Sequence, residues 1–197
     1  MIAKTNSARI PLLERDEVPP EMAELYEAVS RVRGVVPNMV KTLAHTPSLA
    51  VGVVNFLKPL LSDGALKGWY KELLAVRLSA LQGSYYAVSA HSLSACQKGA
   101  SLAQVAAVKD DFETGPFTEA ERLGFRCADR LHHSPFDIND DFFAKLKNVY
   151  NDPQIIELMA TAAAFELFPR FVEALRIPAT PVPEKLALQF EGVGEKD

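Results

Sequence analysis

Glu72 and His91 are the two residues of this chain whose types and spacing most directly offer chemistry. They bound a stretch that reads Glu72-Leu-Leu-Ala-Val-Arg-Leu-Ser-Ala-Leu-Gln-Gly83-Ser84-Tyr85-Tyr86-Ala87-Val-Ser-Ala-His91. A carboxylate held against an imidazole favours the charged ring and fixes its tautomer, giving a general acid or base that works near neutral pH. On one helix Ser84, Ala87 and His91 fall at i, i+3 and i+7 and share a face. A reversal at Gly83 folds the preceding helix back, and two long side chains can then close the gap between Glu72 and His91. The arrangement is a proton relay without a nucleophile. The candidate catalytic set is Glu72, His91 and Tyr86, and the candidate substrate-binding set is Ser84, Tyr85, Ala87 and Arg170.

Each of these residues also has a plainer reading. Glu72 and His91 can be a buried structural pair, since such pairs perturb one another outside active sites too. Ser84, directly after Gly83, suits the N-cap of its helix; a nucleophilic serine needs the histidine and a carboxylate in close geometry. Tyr85 and Tyr86 either line a pocket or pack between helices and subunits. Arg170 either binds a substrate carboxylate beside Pro169 or pairs with Glu166 one turn earlier. Trp69, His132 and His133 read as packing and surface residues, and the two histidines have no partner at a metal-ligand spacing, so no metal is expected.

The elements that must position these residues are helices, because alternating β-branched runs are nearly absent while capping residues, Pro and Gly punctuate the chain. A first helix opens at Pro19-Pro20 and ends before Gly34, and a short one runs from Pro37 to about His45. Thr46 and Pro47 start a third that stops at Ser62-Asp63-Gly64. Two helices hinged at Gly83 follow, from about Ala65 to Gln82 and from Ser84 to Lys98, the second ended by Gly99. Ser101 caps a short helix to Asp110, and Thr118 with Glu121 forms a capping box for one through Leu131. Asp140 opens a helix to Tyr150, and Asn151-Asp152-Pro153 starts a long apolar one to about Leu175, which Pro169 should kink. From Pro178 onward prolines and charges predict an extended tail, with an arm at Leu186 to Phe190.

Composition narrows the function classes. The chain has 197 residues, 48% of them hydrophobic and 23% charged, enough for one core. The expected domain is residues 1–180, with 181–197 as tail. Its 21 basic and 25 acidic residues give a net charge of −4 without a basic stripe, so nucleic acid is not an expected partner. The opening residues from Met1 to Leu13 carry no apolar leader, and Arg77, Glu157 and Glu166 interrupt the longest apolar runs, so neither membrane insertion nor export is expected. Cys96 and Cys127 suit a reducing, cytoplasmic setting.

The stretch from Glu72 to His91 resembles the core motif of the carboxymuconolactone decarboxylase and alkylhydroperoxidase D superfamily. Gly99-Ala100-Ser101, Asn151-Asp152-Pro153 and Phe168-Pro169-Arg170 to Ile177-Pro178 extend the likeness over roughly residues 10 to 180. In the peroxidase branch a glutamate is followed twelve positions later by Cys-x-x-Cys and, after three more residues, by histidine. Here Ser84 and Ala87 occupy the two cysteine positions. The resemblance implies an all-α, single-domain helical bundle with a central antiparallel helix pair, assembled as a dimer, trimer or hexamer, and no cofactor. Thiol peroxidase chemistry is not expected, because a hydroxyl is a poor two-electron reductant and alanine cannot resolve a sulfenate. Cys96, five positions beyond His91, falls about 140° round the helix and is no obvious substitute. Three functions follow: a non-redox acid/base enzyme acting on a small organic acid or lactone, a peroxidase-related protein with lost or weak activity, or a noncatalytic binding or assembly protein in which the relay is a relic.

Overall fold

The computed structural model describes residues 8–181, and every regular element among them is helical. In order they are α1 (Ala23–Arg33), α2 (Asn38–Leu43), α3 (Pro47–Leu61), α4 (Gly68–Leu81), α5 (Tyr85–Gln97), α6 (Leu102–Lys109), α7 (Glu119–His133), α8 (Asp140–Val149) and α9 (Asp152–Ala174). Single 3-10 turns precede α1 at Pro20–Met22 and α8 at Pro135–Asp137. The all-α expectation holds. Boundaries differ by a few residues; α4 begins at Gly68 rather than Ala65, because Asp63 and Glu157 take up the backbone N–H groups of the loop before it. Helix α9 continues through Pro169 as one element. The arm at Leu186 to Phe190, like most of the expected tail, lies outside the described residues.

The chain divides into two compact units. One comprises residues 58–170 and carries the site. Its centre is α4, which is buried nearly all round: Tyr70 to Val76, Leu78 and Ser79 are all inaccessible. Such a helix shows no amphipathic stripe, as expected where neighbours cover every face. In α4's case α5, α6 and α7 do so, with α5 packed along it most extensively as the antiparallel partner.

The other unit comprises residues up to 57 and from 171. Met22, Tyr26, Val40, Leu43, Ala44 and Ala50 form its core, with Val53, Val54 and Phe171 packed around them. Its strands of extended chain are tied down by polar anchors. The Asn38 amide donates to the carbonyls of Pro178 and Ala179, the Asn38 backbone N–H donates to the Thr180 hydroxyl at 2.9 Å, and Arg9 N–H donates to Leu175 O at 2.9 Å.

Candidate functional site

The turn between α4 and α5 aligns the site. Gly83 adopts φ +67°, a left-handed conformation that costs glycine nothing. Its N–H donates to Ala80 O and the Ser84 N–H to Ser79 O, the paired bonds of a Schellman stop. The same pair of bonds recurs at Gly99, φ +114°, where α5 ends. Ser84 then caps α5: its hydroxyl accepts the Ala87 N–H at 3.4 Å. With both ends of the hairpin fixed, the face of α5 that carries His91 is held against α4.

Glu72 is fully buried, and its two carboxylate oxygens have separate partners. Oε2 lies 2.6 Å from His91 Nδ1, while Oε1 accepts the Ser94 hydroxyl at 2.7 Å and an ion pair from Lys98 Nζ. Lys98 also donates to Leu61 O at 2.7 Å, at the end of α3. Burial pushes the Glu72 carboxyl up, but the hydrogen bond of His91, the ring's charge in the acid range where Glu72 itself titrates, and the charge and hydrogen bond of Lys98 outweigh it and hold the carboxyl down at about 2. Glu72 is therefore a carboxylate at neutral pH.

The His91 side chain is 13% exposed, and Phe165 of α9 meets its ring edge-on at 4.6 Å between centroids. With Nδ1 engaged by Glu72, Nε2 is the ring nitrogen left for chemistry; among the described residues it has no hydrogen-bonding partner. The arrangement can take a proton from, or give one to, a group placed at that nitrogen.

The remaining predicted residues differ in exposure. Ser84, Tyr86 and Ala87 are buried, and Tyr85, at 69% exposure, faces solvent. Arg170 is 61% exposed and bonded to Glu166 through both a side-chain oxygen at 2.7 Å and the backbone carbonyl at 2.9 Å. Glu166 also holds His132 Nδ1 at 2.8 Å, giving a second carboxylate–imidazole pair on α9 and α7. Both thiols are unsuited to nucleophilic work, since burial pushes Cys96 up and Cys127 up to about 12. Among the described residues no group of His, Cys, Asp or Glu could hold a metal ion.

Two residues of the cluster, Ser94 and Lys98, escaped the sequence reading. Their signal was present. Continuing the series Ser84, Ala87, His91 by three and four more positions reaches Ser94 and Lys98, the next turns of the same face.

The all-helical fold is that of the alkylhydroperoxidase-D-like and peroxidase-related proteins. The alkylhydroperoxidase AhpD core of an uncharacterized peroxidase-related protein from Ralstonia eutropha JMP134 superposes with a TM-score of 0.82 at 21% identity, covering 92% of this chain and 95% of that one. An uncharacterized peroxidase-related protein from Silicibacter sp. TM1040 gives 0.81 at 18% identity, covering 88% and 92%. The debrominase Bmp8, in complex with 2,3,4-tribromopyrrole, gives 0.77 at 22% identity, covering 94% and 98%. No family model and no curated protein matches the sequence.

Proposed function

We propose that this protein is a thiol-independent acid/base enzyme of the carboxymuconolactone decarboxylase-like type, in which His91, held by Glu72, moves a proton on a small organic acid or lactone. The observation that carries this reading is the 2.6 Å contact between a fully buried carboxylate and Nδ1 of a ring whose other nitrogen has no hydrogen-bonding partner among the described residues. A ring oriented in this way by a carboxylate can exchange a proton with a group placed at its other nitrogen. Tyr86 and Arg170 are the polar groups that orient the substrate, Arg170 by exchanging Glu166 for a substrate carboxylate. The complex of Bmp8 with a brominated pyrrole supports including small halogenated aromatics among the ligands to test. Without thiols at positions 84 and 87, and with both existing thiols held protonated, peroxide turnover with dithiol donors should be absent.

A second reading has its own support. Glu72 is satisfied by three partners on both oxygens, which is also how a purely structural buried carboxylate is stabilised. Thermal melts of His91→Gln and Glu72→Gln, read beside binding of small carboxylates, lactones and halogenated aromatics, separate the two. The catalytic reading expects ligand binding by the parent, no turnover in either variant, and a cost of under about 1 kcal/mol for His91→Gln. Losses of about 3–5 kcal/mol in both variants, with no ligand shifting the parent's melt, would establish the structural reading instead.

A further inference from the structure

The division of labour on Glu72 assigns a role to a residue outside the relay. Oε2 serves His91 alone; Oε1 serves Ser94 and Lys98. We infer that Lys98 is a positioning residue: its ammonium group neutralises Glu72, so that His91 stands as an uncharged base with Nδ1–H donated to Oε2 and Nε2 open.

A buried carboxylate with no cation nearby would draw a proton onto the adjacent ring, because an opposite charge at this distance favours the imidazolium. An imidazolium locked to Glu72 has no lone pair and cannot act as a base. Lys98 brings a full positive charge to the other oxygen, and the pair it makes with Glu72 is neutral overall. Beside a neutral pair the ring gains little from protonation, yet Oε2 still fixes its tautomer.

The position of Lys98 is built. The Leu61 carbonyl takes a second ammonium N–H at 2.7 Å, and Gly68 leaves room for the stem: a Cβ there would lie 3.3 Å from Lys98 Cδ and 3.0 Å from Leu61 O. Charged groups on the helices packed against the ring are committed elsewhere. On α4, Lys71 pairs with Glu157 of α9, and on α9 Glu166 pairs with His132 and Arg170, leaving the uncharged Phe165 against His91.

The inference rests on the proton-transfer reading, but its test needs no substrate. Imidazole nitrogen NMR of the parent at about pH 7.5 should show His91 neutral and protonated on Nδ1. In Lys98→Met, and in Lys98→Gln, which can keep a bond to Glu72 without the charge, the midpoint of the ring's titration should move up by about one pH unit or more, a tenfold change in the protonation equilibrium. Lys98→Arg should stay near the parent. A doubly protonated ring in the parent, or an unmoved midpoint in whichever uncharged variant folds, would overturn the role given to Lys98. If the ring behaves as expected while no ligand binds and no turnover is found, the proposed function fails and the charge-setting role of Lys98 stands.

Discussion

At the residue scale, Glu72 ties the site to pH. Its carboxyl lies at about 2, below its ordinary value of 4.5. A group whose folded-state value is depressed adds stability that is complete above the ordinary value and is lost as pH falls toward the folded one. Melting temperature should therefore fall between about pH 4.5 and about pH 2, and the fall should be shallower in Glu72→Gln, whose amide does not titrate. Circular-dichroism melts across that range make the comparison; parallel slopes in parent and variant would remove Glu72 from the acid response. Glu72 and His91 were legible from spacing alone because a reversal at a glycine is a local event. Lys98 was not, although it shares the face, because its position directly before the strong stop of Gly99-Ala100-Ser101 reads as a solvated helix end. Only the approach of Leu61 O and Glu72 shows that the ammonium turns inward.

At the scale of elements, the buried surroundings of α4 turn an ordinary-looking charge into a strong constraint. Lys71 is wholly inaccessible, and its ammonium donates to Glu157 Oε2 at 2.9 Å, while the two Glu157 oxygens also accept the N–H groups of Ala65 and Leu66. Glu157→Leu should cost about 3–5 kcal/mol, since it strands a buried cation and frees two backbone donors. Thr118→Ala, which removes one half of the capping box of α7, should cost only about 1 kcal/mol. Denaturant titration of both variants checks the ranking. The capping box was readable in the sequence because both partners lie within four residues. The Lys71 pair was not: its members are 86 positions apart, and adjacent Lys71 and Glu72 look like one exposed charged patch until neighbours are seen to cover every face of the helix.

At the scale of the whole molecule, the surface of α9 bears on assembly. Ile156 and Leu167 are 66% and 58% exposed, and with Ala160 and Ala163 they form a stripe at the i, i+4, i+7, i+11 spacing that packs helices together. Large exposed apolar side chains in a row mark contact surfaces more often than single ones do. We expect sedimentation at micromolar concentration to give an oligomer, and Leu167→Lys to shift it toward monomer; a monomeric parent would leave this stripe without a partner of its own kind. Among the described residues no helix is long and apolar enough to cross a membrane. The all-α class and most helix limits could be read from caps, prolines and glycines. The grouping of the chain into two units could not, because it depends on contacts between its distant parts.

The bonds from Asn38 to Pro178, Ala179 and Thr180, and from Arg9 to Leu175, have a consequence for biosynthesis. Residues 58–170 are continuous, so a ribosome delivers that unit in one piece. The first 57 residues emerge earlier but lack the segment that completes their unit until residues beyond 170 have left the exit tunnel. Contacts separated by 140 to 166 positions also carry a loop-closure cost. Translation order and completion order are thus opposed: the middle of the chain should become protected first, and the start should wait for the finish. Hydrogen exchange on nascent chains stalled with residue 170 just outside the exit tunnel would show protected amides in α4 and α5 and open ones in α1 and α2, and equal protection in all four would mean that the N-terminal segment folds without its late partner.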